Sequence, residues 1–217
     1  YLRDNQKGAI SHITRLSREH TESYMELDLV TQRNLELITN IQEGRREGTL
    51  ISVMDKTCTS PGSRTLRTWL SQPLLDIGRI ESRLDAVEEL VQASGLREDV
   101  REALKGVGDL ERMMSKICCG RANPREISGL KLSLEAVPPI RTLLETAASD
   151  LLSRARESGL PDLSELTELI GRTVEDDPPA LLSDGGIIRT GYHEELDELR
   201  DIASGGRNWV ARLQAEE

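Results

Sequence analysis

The apolar positions of this chain recur every three or four residues, with the spacing interrupted by short polar turns. The clearest run is "IGRIESRLDAVEELVQAS", where Ile77, Ile80, Leu84, Val87 and Val91 lie on one stripe of a helix with Asp76 as its N-cap. Upstream, Asp28 caps "LVTQRNLELITNIQ", whose Val30, Leu35, Leu37, Ile38 and Ile41 predict a single helix after a short extended piece, "SYMELD". "TLISVMDKT" reads as a short buried helix. Ser60-Pro61 opens "GSRTLRTWLSQ", with the serine as cap and Pro73 as the stop.

Shorter units follow. "LREDVREALKG" precedes "DLERMMSKICCG", capped by Asp109, and Asn123-Pro124 opens "REISGLKLSLEAV". After Pro138-Pro139, "IRTLLETAASDLLSRARES" reads as one helix. Pro161-Asp162 starts "LSELTELIGRTV", which "EDDPP" ends. In "ALLSDGGIIRTG" the Asp184-Gly185-Gly186 turn, between Leu181-Leu182 and Ile187-Ile188, predicts a hairpin, and Gly191 a second bend. From Tyr192 a helical pattern runs to the end, broken only at Gly205-Gly206. The fold class is mainly α: an irregular multi-helix body with one or two very short β pieces, ending in a long helix.

Composition agrees with packed helices. Aromatic residues make up 2% of the 217 and Phe is absent, so the core must come from Leu, Ile, Val and Ala. A net charge of -10 repels phosphate backbones and argues against nucleic-acid binding by this chain alone. Cys58, Cys118 and Cys119 form no disulfide framework, which points to a reducing, cytoplasmic setting, with the adjacent pair packed in a Met113, Met114, Ile117 run. No apolar run approaches a membrane span. The first residue is not Met and the last lie in mid-helical pattern, so the chain is expected to be cut from something longer.

The densest candidate for chemistry is "SDGGIIRTGYHEELDELRDI", which gathers Asp184, Tyr192, His193 and Glu194. The sequence lacks a phosphate-cradling glycine loop. His12, His20 and His193 are scattered, and no C-x-x-C is present, which disfavours zinc. Glu88-Glu89, Asp176-Asp177 and Glu194-Glu195 read as solvated acidic faces. Arg64 and Arg67 either meet an anion or acidic partner, or merely solubilise a helix that buries Leu66, Trp69 and Leu70; the second reading is preferred. Tyr192 and His193 are expected to brace the entry to the last helix. No catalytic, cofactor-binding, DNA-binding or metal-binding residue is assigned. The residues alone indicate an interaction or mechanical module.

"LDLVTQRNLEL", "GTLISVMDKTCTSPGSRTLRTWLSQPLLDIGRIESRLDAVEEL", "VGDLERMMSKI", "RANPREISGLKLSL" and "DGGIIRTGYHEELDELR" occur in this order. In that order and spacing they resemble the core, or lever, domain (domain III) of the MutS family of DNA mismatch repair proteins. The resemblance implies the tail of a connector domain at 1–22, a helical core at 23–191, and the base of a lever helix at 192–217 leading towards a clamp. It implies a parent that binds mismatched duplex DNA in an ATP-dependent way, as a dimer with a second MutS-type subunit, using ATP or ADP with magnesium held elsewhere. A paralogue used in meiotic recombination is the weaker variant. The competing readings from other classes are a free-standing all-α adaptor and, third, an all-α enzyme in which His193 meets Cys58 or Arg64. Cutting the lever would expose Leu199, Ile202, Val210 and Leu213, leaving that helix frayed or covered by self-association.

Overall fold

A computed structural model describes residues 23–203 and residue 205. It divides into two compact units, one of residues 1–122 and 132–163, the other of 123–131 and 164–217. Both are helical, and the extended pieces among the described residues are two isolated antiparallel bridges, Tyr24 with Leu74 and Val174 with Ile188.

In the first unit, α1 (Leu29–Asn34) starts at Asp28, whose Oδ1 accepts from the Thr31 N–H at 2.6 Å. It stops far short of the predicted end at Gln42. Glu36 takes a left-handed backbone (φ 47°), and Asn40 Oδ1 accepts from the N–H groups of Glu43 and Arg45. An asparagine that binds its own neighbouring amides offers the chain an alternative to the helical ladder. The redirected backbone then meets α2 (Leu50–Met54) edge-on, where Leu50 N–H donates to Glu36 O and Ile51 N–H to Leu37 O. The predicted burial of α2 holds for Ile51 at 2% exposed, whereas Val53 and Met54 face outward.

Thr59, one residue before the expected serine, caps α3 (Ser60–Ser71) by accepting from Gly62 N–H. A Cβ at Gly62 would lie 3.0 Å from that same Thr59 hydroxyl, so a side chain there would press on the cap. The extended 23–25 segment finds its partner just after α3: Met25 N–H donates to Pro73 O and Leu75 N–H to Ser23 O. Asp76 caps α4 (Ile77–Gln92) as expected, accepting from Arg79 N–H at 2.8 Å. The buried side of α4, however, is centred on Ala86. The apolar stripe predicted for the core lies mostly in the open.

The core of this unit forms where α5 (Ser94–Leu104) packs on α8 (Val137–Leu143) and α4 on both α5 and α9 (Asp150–Arg154). Ile140, Leu144 and Ala147 are buried there, against Val100, Ala103, Leu104, Val107, Leu152 and Leu160. It is the aliphatic core that a chain without Phe requires. Pro138 and Pro139 sit inside the first turn of α8, where their missing N–H groups cost nothing, so this helix begins before the prolines and not after them. The long helix expected to follow is broken into α8, a 3₁₀ turn at Leu144–Thr146, α9, and a π turn at Ala155–Gly159. Ala147 is extended (ψ 133°), and that residue makes the break.

Between these lie α6 (Leu110–Cys118) and α7 (Pro124–Glu135). Asn123 and Glu126 form a reciprocal capping box at the start of α7: Glu126 N–H donates to Asn123 Oδ1 and Asn123 N–H to Glu126 Oε2. Two buried serines on α7 each hold a loop. Ser133 Oγ accepts from Gly108 N–H in the first unit, and Ser128 Oγ donates to Glu175 O in the second.

The second unit continues with α10 (Ser164–Thr173), which buries Ile170. The chain then passes through a fully buried Pro178, whose carbonyl accepts from Arg125 Nε. The last helix, α11, is described over 194–203.

Candidate functional site

The loop singled out in the sequence is a backbone device. Leu182–Asp184 form one 3₁₀ turn, and Gly185 and Gly186 follow at φ +70° and +66°, a region in which side-chain-bearing residues are strained. The expected hairpin pairs with the wrong neighbour: Leu181 and Leu182 are exposed, and residues 187–189 pair instead with 173–175. Glu175 N–H donates to Ile187 O, and Arg189 N–H to Thr173 O. The connection is therefore a wide loop that closes against the end of α10. Gly191, at φ +86°, makes the second bend as read from the sequence.

His193 is the cap of α11. Its Nδ1 accepts from Leu196 N–H at 3.3 Å and its carbonyl from Asp197 N–H at 3.1 Å. Asp197 in turn accepts from Gly191 N–H and from Arg200, while Arg200 also donates to Ile188 O. His193, Asp197 and Arg200 thus tie the bend, the extended pair and the helix start to one another. Glu194 and Glu195 are exposed in the first turn, where negative charge complements the helix dipole. Asp184 Oδ1 accepts from the adjacent Ser183 hydroxyl. Because one neutral acceptor suffices at the cap, His193→Gln is expected to change stability by less than about 1 kcal/mol, which chemical denaturation would measure.

Three other charged groups, Glu89, Asp176 and Arg64, contradict the solvated reading given to them. Glu89 reaches across the fold to accept from Ala148 N–H at 2.6 Å and Ser149 N–H at 2.8 Å, immediately before α9. Asp176 is held between Lys131 (3.2 Å) and Arg189 (2.9 Å), and these hydrogen bonds, from Arg189 foremost, lower its carboxyl pKa. Arg64 does not merely solubilise α3. It grips Asp109 with both terminal nitrogens, at 2.6 and 2.8 Å, and also Glu111. Trp69, expected in the core, is 43% exposed and carries Arg83 stacked on its ring. Cys118 is exposed and Cys119 half-buried, because the α6 stripe turns Met113 and Ile117 inward and Met114 and Cys118 away.

The residue that the sequence reading passed over is Asp55. Its carboxylate accepts from Thr57 N–H and Oγ1, Ser63 Oγ and Arg46, joining the loop before α2 to α3. The Asp-x-Thr spacing of "DKT" was the available signal. The Ser63, Thr57 and Arg46 bonds hold Asp55 well below the ordinary carboxylate value, and the Arg64 bonds hold Asp109 down to about 2. A lowered folded-state pKa stabilises the fold above the unfolded value of 3.8, and that contribution is lost as pH falls through the folded value. Thermal melts should therefore show stability falling between about pH 4 and about pH 2, with a shallower fall in Asp109→Asn.

Gly185 and Gly186 lead into an extended pair rather than a helix N-terminus, so no fan of amides faces the loop. Among the described residues no group of three or more His, Cys, Asp or Glu is placed to hold a metal, and no helix is long and apolar enough to cross a membrane.

Comparison with known proteins agrees with the motif order. The family model described as MutS domain III matches residues 30–216. Proteins named "DNA mismatch repair protein MutS" align over the whole chain. That of Salinibacter ruber is 48% identical, that of Halothermothrix orenii 42%, and that of Methanothrix thermoacetophila 38%. The chain spans only 24%, 24% and 25% of those relatives, about a quarter of their length. A helical body of capped, mutually braced segments, matched over nearly its entire length, belongs to the MutS domain III family.

Proposed function

We propose that this chain is the lever-bearing core of a longer mismatch repair protein, and that its work is mechanical. The observation that carries this reading is the domain III match over residues 30–216 in a chain a quarter the length of its relatives. In the proposed parent, a cytoplasmic DNA-dependent ATPase, the core stands between the part that hydrolyses ATP and the clamp that holds mismatched duplex. A second subunit of the same type completes the assembly. On this reading nucleotide chemistry belongs to other parts of the parent.

The chain's own features support a mechanical role. Its conspicuous polar side chains are engaged in holding one segment to another, as with Asp55, Glu89, Asp176 and Asp197. Rigid elements with defined contacts are what coupling between distant sites requires. The net charge of -10 disfavours a DNA groove on this segment. A match along almost the entire chain gives no support to a free-standing adaptor. The test is fluorescence anisotropy with a mismatched duplex, with and without ATP. The isolated chain should bind neither at concentrations where the longer protein binds both. Tight binding of mismatched DNA or ATP by the chain alone would overturn the reading.

A further inference from the structure

Between the end of α10 and the start of α11 lies an open cleft of about 610 Å³, lined by Arg172, Arg189, Thr190, Gly191, Tyr192 and His193. No carboxylate is among the described residues that line it, although the chain has ten more acidic than basic groups. The backbone sets this lining. Arg189 N–H donates to Thr173 O, which places Arg189 against the last turn of α10, where Arg172 stands. Gly191 bends the chain at φ +86° and its N–H is held by Asp197, so the segment carrying Thr190, Tyr192 and His193 is fixed to α11.

The lining offers donors that the fold itself leaves unused. Arg189 directs Nη2 to Asp176 and to Val174 O, and among the described residues nothing accepts from its Nη1. The Arg172 guanidinium forms no ion pair or hydrogen bond with them, and the Thr190 and Tyr192 hydroxyls are equally unengaged. His193 Nδ1 accepts from Leu196 N–H, so the neutral ring carries its proton on Nε2 and has a donor to spare. The acids bonded to these segments are already committed, Asp176 to Lys131 and Arg189, and Asp197 to Gly191 N–H and Arg200. Glu165 and Glu168 share a neighbouring cleft with Arg172 and form no ion pair with it.

We infer that this cleft binds a dianionic phosphoryl group, as free phosphate or as a phosphomonoester. Two guanidinium groups, two hydroxyls and an imidazole N–H match the several oxygens of a tetrahedral dianion, whereas the two oxygens of a carboxylate would leave part of the set unmet. Duplex DNA is a poor occupant, because its further phosphates would meet Asp184, Glu194 and Glu195, all exposed on the same segment. A bound phosphoryl group joins the last turn of α10 to the cap of α11, and a ligand held only by the folded form stabilises that junction. Its binding is independent of the mechanical role proposed for the parent.

The test is hydrogen exchange of residues 187–197, read by mass spectrometry in the 217-residue chain and in the full-length polypeptide that contains it. Inorganic phosphate, ribose 5-phosphate or acetate is added at fixed pH and ionic strength. Exchange should slow saturably, by about twofold or more, with phosphate and not with acetate. Tighter half-saturation by ribose 5-phosphate assigns the site to phosphomonoesters, and tighter half-saturation by phosphate assigns it to the free ion. Arg172→Gln should raise the half-saturating concentration by about tenfold or more, Arg172→Lys by less, and Tyr192→Phe by about threefold. Exchange without ligand should match the parent in Arg172→Gln, since that side chain holds nothing in the fold. Absence of saturable slowing overturns the inference, as does equal slowing by acetate or an unchanged half-saturation in Arg172→Gln. Saturation in the short chain but not in the full-length polypeptide overturns it too.

Discussion

Leu144→Ala is expected to destabilise the chain by about 2–5 kcal/mol, the cost of an unfilled cavity in a tight core. Leu144 is 5% exposed and sits at the start of the 3₁₀ turn where α8 ends, with Ile140 and Ala147 beside it. Val100, Ala103, Leu104 and Val107 from α5 and its following turn, with Leu152 and Leu160, pack against this cluster. These neighbours are short aliphatic groups. No aromatic ring or methionine is among them to swing into the space, so the void should persist and the loss should fall in the upper half of that range. In urea the midpoint should drop with the slope unchanged. A change below about 0.5 kcal/mol, the scale of a surface substitution, would show that this cluster is not the core of its unit.

Glu89→Ala should have the next largest effect, about 1–2 kcal/mol, because it removes a helix cap supplied from another element. α9 has no capping bond from its own N-cap residue, Ser149; the amides of Ala148 and Ser149 are satisfied instead by the two oxygens of Glu89. The same contact holds α4 to α9 across the break in the predicted long helix. Glu89→Gln keeps one acceptor oxygen and should lose about half as much. Hydrogen exchange gives the local readout: the amides of 148 and 149 should exchange faster in Glu89→Ala. Unchanged exchange at both would mean that the carboxylate is incidental to the start of α9.

These two sites also mark where the sequence was readable. Caps that act within three residues, at Asp28, Asp76, Asp109 and Asn123, were legible because acceptor and amide lie in one local motif. The family resemblance and the mainly helical class followed from long motifs in order and from the three-four spacing. What could not be read was set by distant groups. The Glu89 cap spans about sixty positions, and the Arg64 clamp on Asp109 spans 45. The end of α1 depended on Asn40 preferring its own neighbours' amides. At α4 the periodicity was right and its meaning was wrong, since the stripe lies mostly exposed and the buried side is centred on Ala86. The glycine loop was correctly read as a bend, but its pairing partner was set by the position of α10. Val210 and Leu213, expected to be exposed on the last helix, lie outside the described residues, whereas Leu199 and Ile202 are exposed as expected.

The proposed role of this body is to carry force between nucleotide and DNA in a longer parent. It is tested most directly in the full-length protein with Leu144→Ala, by stopped-flow measurement of ATP-triggered release from an end-blocked mismatched duplex. Nucleotide affinity and mismatch affinity should stay within about twofold of the parent, less than 1 kcal/mol in free energy, while the ATP-triggered change in DNA grip slows by about tenfold or more. An unchanged rate, in a variant shown to have the softened core, would contradict the account.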